Sequence, residues 1–278
     1  MTEADWEQLV LDELADLEWQ PKHGKELAPG STERESWADI ILHGTLSQKL
    51  RDLNPGVPEE YLQQAKAEVL APQSQDALAE NKRIHDILIR GYAGITYVDH
   101  EVHEQNPTIA FMSHGDAGKN SYLAVQQVTI RSNEHERRFD VVLYVNGIAF
   151  ATIELKRSYV GVSAGIRQTL GNQDKQFIRP FFSTVQLVFA GNDVEGLRYG
   201  VIDTPEKYWL AWKEPSDVAG PLDRALLQLC NKARFLELIH DFIVFDKGVK
   251  KGLSVRDYKL EPRFGDLPFL KTAAAVTL

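Results

Sequence analysis

Cysteine is almost missing from this chain, with Cys230 the single one among 278 residues. One thiol excludes an intramolecular disulfide framework and a cysteine zinc cluster, and its apolar helical surroundings read as those of a buried core thiol. Long apolar runs are missing too: no stretch approaches about 18 consecutive apolar residues, so no membrane span is indicated. The amino-terminal MTEADWEQLV is acidic and amphipathic, without the basic and apolar regions of a signal peptide. The expectation is a cytoplasmic protein with no membrane contact. A nucleotide signature is also lacking. Gly115-Asp116-Ala117-Gly118-Lys119 has the residue types of a phosphate loop but not the G-x-x-x-x-G-K-[ST] spacing, so no ATP site is expected. Basic charge is in deficit, and a net charge of −9 argues against indiscriminate nucleic-acid binding by the whole chain. Internal repeats and low-complexity tracts are absent.

What is present is ordinary in amount and uneven in placement. The chain is 43% apolar and 26% charged, as in globular proteins, and is long enough for one large or two modest domains. Between Arg131 and Pro180 eight Lys/Arg face five Asp/Glu, whereas the remaining chain carries 23 against 35. That is a local basic rim on an acidic body, which fits a protein that meets DNA at one cleft and relies on partners for affinity; the plainer reading of such a run is a solvated face.

Apolar residues at helical spacing predict helices over Trp6–Leu17, Ser36–Leu53 with Gly44 as a break, Pro58–Leu70 and Asp76–Arg90, the last ended by Gly91. Pro21–Glu33 reads as a polar connection and Asn54-Pro55-Gly56 as a turn. The period then changes. Ile95–Val98, Val125–Arg131, Phe139–Val145, Ile148–Leu155, Thr184–Ala190 and Arg198–Ile202 read as strands, with a crossover helix over Ala164–Phe177. A hairpin, a crossover helix and a further strand make an α/β core with a mixed central sheet flanked by helices. Leu222–Phe245 reads as one long closing helix, and periodicity is lost from Lys247 onward. The expected organisation is one domain over 1–246, with a mostly helical part (1–75), an α/β core (76–205) and a closing helical part (206–246), followed by a tail at 247–278.

The chemistry concentrates in RRFDVVLYVNGIAFATIELKR, residues 137–157. Two β-branched runs flank Asn146-Gly147, a strong hairpin signal. Glu154 and Lys156 share a strand face, because side chains alternate with period 2, and Asp140 lies at the same open end. With a strict two-residue loop Asp140 faces Ile153, and the two carboxylates point to opposite sides. With a three-residue loop, Val145-Asn146-Gly147, Asp140 faces Thr152 and Glu154 becomes its same-face diagonal neighbour. That loop is the expectation, or failing it a bulge near Asp140.

Two carboxylates and a lysine so placed suit phosphodiester hydrolysis. Asp140, Glu154 and the Leu155 carbonyl offer hard oxygen ligands for Mg²⁺, with Mn²⁺ as a substitute. Lys156 would orient the attacking water and stabilise the phosphate. The bland alternative is a surface hairpin with a Glu–Lys pair and a stray aspartate. Glu80 or Asp86, on the helix before the first predicted strand, are candidates for a further acid. Gln168 on the crossover helix could hold Lys156 or the phosphate, or be a solvated helix glutamine. Among the histidines only His100-x-x-His103 has ligand-like spacing, a weak signal.

The run DVVLYVNG-x(5)-IELK at 140–156 resembles the nuclease motif of the R (restriction) subunit of type I restriction enzymes, a PD-(D/E)xK nuclease. Collinear blocks agree: Leu46–Leu53 with Asn54-Pro55, Asn81–Gly91, and Leu238–Asp246 with its DFIVFD string. The similarity spans roughly residues 5–246. It implies a restriction-endonuclease-like core and Mg²⁺-dependent cleavage of double-stranded DNA. Asp140 and Glu154 would be metal ligands and Lys156 catalytic, in partnership with methylation and specificity subunits. Three departures stand out. The family's Q-x-x-x-Y has Gln168 here but Asn172 at the tyrosine position, and Phe139 replaces the proline before Asp140. The helicase-like motor that follows this region in the family is not in the sequence, so ATP-driven translocation is not expected of it, whether it is a fragment or naturally short. The competing expectation is a non-cutting assembly or docking module.

Overall fold

The β-branched runs around Asn146-Gly147 occupy the middle of a seven-stranded sheet. The computed structural model describes residues 3–132, 134–175 and 177–245. Strands β4 (Tyr122–Ser132), β5 (His135–Val145) and β6 (Ile148–Leu155) form an antiparallel meander, and β7 (Leu187–Asn192) pairs with β6 in parallel. At one edge β1 (Gln20–His23) lies parallel to β4. At the other, β8 (Gly196–Gly200) and β9 (Leu210–Ala211) continue antiparallel, giving the order β1-β4-β5-β6-β7-β8-β9. A separate ribbon pairs β2 (Tyr97–Val98) with β3 (Glu104–Gln105).

Every residue of β6 and β7 is buried, which explains their unbroken apolar character. A parallel pair needs a crossover, and α5 (Val162–Asn172) supplies it, packing on β6 and β7. Gly165 allows that approach: a Cβ there would sit 3.3 Å from Ala190 and 3.4 Å from the Lys156 side chain. The result is the expected mixed α/β sheet flanked by helices.

Among the helices, α1 (Glu3–Asp16), α3 (Glu59–Leu70) and α4 (Ala77–Arg90) lie where the periodicity places them. Asp76 caps α4 by accepting the Leu78 amide at 2.9 Å, and Gly91 ends it at φ 80°. The expected Ser36–Leu53 helix is shorter. Only α2 (His43–Leu53) forms, and Gly44 lies in its first turn rather than breaking it. The preceding residues spend their backbone groups on the sheet instead: Arg131 donates to the Trp37 carbonyl at 2.9 Å and Leu42 to the Gly147 carbonyl at 2.7 Å. The Pro21–Glu33 connection contains β1 and a 3₁₀ turn, Gly24–Leu27. Pro21 is tolerated because β1 is an edge strand.

The single closing helix expected over Leu222–Phe245 is three pieces: α6 (Pro221–Cys230), α7 (Lys232–Glu237) and a π-helical turn, Leu238–Phe242. Asn231 breaks it, adopting extended backbone (ψ 130°) and accepting the Ala233 amide at 3.2 Å to cap α7. The Cys230 carbonyl at this break accepts the Trp19 indole N–H at 2.8 Å. Cys230 is fully buried, and burial pushes its thiol up to about 12, so it is inert. The domain end at 246 and the tail at 247–278 lie outside the described residues. No described helix is long and apolar enough to cross a membrane.

Candidate active site

The turn between β5 and β6 is a two-residue turn, not the expected three-residue loop. Asn146 and Gly147 both have positive φ, 52° and 81°, and Val145 pairs with Ile148. That handedness matches the twist of the flanking strands. The one-residue offset needed at the far end comes from β6 itself. Tyr144 pairs with Ala149 and Leu143 with Ala151, leaving Phe150 as an extra residue. Its carbonyl is taken by the Gln186 amide at 2.7 Å, entering from the β7 side. Beyond this bulge Val141 pairs with Ile153, and the next step along the register brings Asp140 opposite Glu154. The bulge that was the fallback expectation is therefore present, three residues from Asp140.

The sequence-predicted residues converge here. Asp140 Oδ2 accepts the Leu155 amide at 2.8 Å, fastening its carboxylate to the main chain after Glu154. Lys156 Nζ donates to Glu154 Oε1 at 2.5 Å and to Gln168 Oε1 at 2.9 Å. Gln168 thus holds the lysine from the crossover helix, one of its two anticipated roles. Glu154 is 3% exposed. Burial first, and the Asp140 charge second, raise its carboxyl to about 8, against the opposing pull of Lys156. A buried carboxyl group, Glu154, against a half-buried one, Asp140, its acidity weakened by burial and by that neighbouring charge, fits a cation. Asp140, Glu154 and the Leu155 carbonyl are the groups that could hold it. Among the described residues no cluster of three or more His, Cys, Asp or Glu side chains forms a metal site, so protein ligands would be few and water would complete the shell, as Mg²⁺ favours.

A stability consequence follows. Glu154 releases its proton near 4.5 when unfolded but near 8 when folded. Its contribution is present in full below pH 4.5 and is lost as pH rises through about 8. Without divalent metal, Glu154→Gln should melt progressively higher than the wild type as pH goes from 5 to 8.5. The gap should reach several degrees, corresponding to roughly 2–3 kcal/mol. Melting curves that stay parallel across that range would show Glu154 to be ionised throughout.

Glu80 and Asp86 are not brought to this site. Glu80 pairs with Arg83 at 2.7 Å and accepts the Gln73 amide at 3.0 Å, while Asp86 pairs with Lys82. Their helix packs near the start of β7, where Asn81 Nδ2 donates to the Val185 carbonyl at 2.7 Å. Because β7 runs parallel to β6, its start is at the opposite end of the sheet from Glu154. A different helix acid, Glu7 on α1, accepts from the Gln127 side-chain amide. Gln127 sits in β4 between the pairs Gln126–Val141 and Val128–Phe139, hence beside Asp140. Glu7 is 5% exposed and shares a helix face with Val10, Leu11 and Leu14. An acid on the buried stripe of an amphipathic helix was the legible signal. His100 and His103 lie in the connection between β2 and β3, with His103 beside Asp99 and Glu101.

The family described as Type I restriction enzyme R protein N terminus matches residues 1–207, a span that includes every residue of this site. The putative type I restriction enzyme MjaIXP endonuclease subunit of Methanocaldococcus jannaschii is 24% identical over 274 residues, covering 87% of this chain and 25% of the relative. The type I restriction enzyme HindI endonuclease subunit of Haemophilus influenzae is 26% identical over 159 residues, covering 56% of this chain and 15% of the relative. The chain spans a quarter or less of the length of either relative.

Proposed function

The chain belongs to the family of type I restriction enzyme R protein N termini, and from that premise we propose that it hydrolyses DNA phosphodiesters as the nuclease part of a type I restriction complex. The observation that carries this reading is the convergence of Asp140, Glu154, Lys156 and Gln168 at the bulged end of one hairpin. A Mg²⁺ ion bound by Asp140, Glu154 and the Leu155 carbonyl would supply the Lewis acid and the template for the reacting phosphate. The protein's own groups do the rest. Two of the three Lys156 N–H bonds are committed, to Glu154 and Gln168. The third remains to orient a water or a phosphate oxygen, and the ammonium stabilises the negative charge on the oxygens of the pentavalent phosphate. The Leu155 amide keeps Asp140 turned toward Glu154. Glu7, held through Gln127 beside Asp140, is the acid best placed to orient outer waters.

Duplex DNA is the proposed substrate, and methylation and specificity subunits are the proposed partners. The test is conversion of supercoiled plasmid to nicked and linear forms with Mg²⁺ or Mn²⁺ against an EDTA control. If the chain alone is silent, it is supplied with the partner subunits and a motor in trans. Cutting that appears only then identifies a gated nuclease. Silence in both formats overturns the reading and leaves an assembly or docking module.

A further inference from the structure

Four residues after Gln168, one turn further along α5, Asn172 is 5% exposed, and its side-chain carbonyl accepts a hydrogen bond from Arg137 Nε at 3.0 Å. The same guanidinium lies over the Phe177 ring, 4.3 Å from its centroid, and its Nη1 donates to the Glu136 carbonyl at 2.9 Å. His135, two residues earlier on the same strand face, meets that ring edge-on at 5.0 Å. Arg137 is therefore locked in direction by neutral partners. Several other arginines are held by acids, Arg83 by Glu80, Arg167 by Glu206 and Arg179 by Asp203, while the buried Arg34 is spent on the Trp37 and Thr129 carbonyls. No carboxylate pairs with Arg137 among the described residues. A fixed, half-buried, un-neutralised guanidinium is what phosphate recognition requires, because its planar fork matches phosphate oxygens and little rotamer entropy remains to be lost. Its position is set by the helix that holds Lys156. Gln168 and Asn172 share one face of α5, about 6 Å apart along the axis, comparable to the spacing of neighbouring phosphates on one strand.

We propose that Arg137, aligned by Asn172 and Phe177, is a positioning residue that grips a DNA backbone phosphate beside the one engaged by Lys156. This rests on the nuclease reading above. The test measures binding of a fluorescent duplex of arbitrary sequence to the whole chain in an Asp140→Asn background, across a salt series. Arg137→Gln should weaken binding about 5- to 10-fold and reduce the slope of log affinity against log salt by about one, the signature of one lost phosphate contact. Asn172→Ala, which leaves the charge but frees it, should weaken binding with the slope unchanged. Arg137→Lys, the control should the glutamine variant unfold, should likewise keep the slope while losing affinity.

An unchanged slope and affinity for a folded Arg137→Gln chain overturns the proposal, whatever the plasmid assay shows. So does a parental chain that does not bind duplex DNA. A chain that binds with the expected salt signature but never cuts leaves the phosphate contact standing and removes the nuclease reading instead.

Discussion

Asp140→Asn is expected to abolish metal-dependent DNA cleavage, by about 10³-fold or more, while leaving the fold intact. The asparagine side-chain oxygen can still accept the Leu155 amide that Asp140 Oδ2 accepts at 2.8 Å, so the hairpin end keeps its shape. What disappears is one of two negative charges able to hold a cation. Stability should hold or rise slightly at pH 8, because the charge that helps to raise Glu154 is gone. Lys156→Ala should also cost about 10²–10⁴-fold in cleavage, but it is the less clean variant. It strips Glu154, 3% exposed, of the cation that favours its ionised form, so the carboxyl is held protonated to still higher pH and the packing and hydrogen bonds of the site change with it. A loss of cutting in Lys156→Ala therefore needs a melting curve beside it. An Asp140→Asn chain that cuts at the wild-type rate would remove Asp140 from the reaction.

Asn146→Ala should destabilise the chain by about 3–5 kcal/mol, the largest stability effect expected of a single polar residue here. The Asn146 side chain is 1% exposed and fully committed. Its Oδ1 accepts the Ser121 amide at 2.8 Å, and its Nδ2 donates to the Phe111 carbonyl at 3.0 Å and to Asn120 Oδ1 at 2.8 Å. Alanine removes all three bonds at once, leaving the Phe111 carbonyl and the Ser121 amide without this partner while Asn120 Oδ1 keeps only the Ser113 amide, and places a methyl side chain at φ 52°, a left-handed conformation that costs a further ~1 kcal/mol or more. Asn146→Gly should lose the hydrogen bonds but not incur that strain, and so should fall between. Urea unfolding of the three proteins checks the order. A loss below about 1 kcal/mol for the alanine variant would mean that water replaces the side chain. The neighbouring Gly147 is as constrained: a Cβ there would meet the Leu42 carbonyl oxygen at 2.6 Å, where α2 seats on the turn.

These two residues show how differently the parts of the site were legible. Asn146-Gly147 announces a tight turn because its backbone chemistry is local, and the structure forms it. The three-residue loop expected first does not form; the alternative expectation, a bulge, is what keeps Asp140 and Glu154 on one face. The extra residue is Phe150, three positions beyond Gly147, and nothing in the string IAFATIEL marks it. Its bulge is settled by the approach of Gln186 from another strand. The two candidate helix acids lie away from the site for a related reason. Glu80 and Asp86 are near the sheet in sequence order, but α4 packs at the wrong end of it. Glu7 reaches Gln127 across 120 positions.

What the amino-acid sequence determined by itself is whatever depends on neighbours a few residues apart. That covers the amphipathic α1, α3 and α4, the stop at Gly91, the β-branched runs of β4 to β7, and the Asp140…Glu154-x-Lys156 spacing. Tertiary structure alone decided which acids meet, that a proline-containing segment becomes β1, that Asn231 divides the closing helix, and that Asn172 aligns Arg137. The physical reason is the two-residue period of a strand. A single inserted residue reverses every side chain beyond it, and only packing against the next strand says where that residue goes.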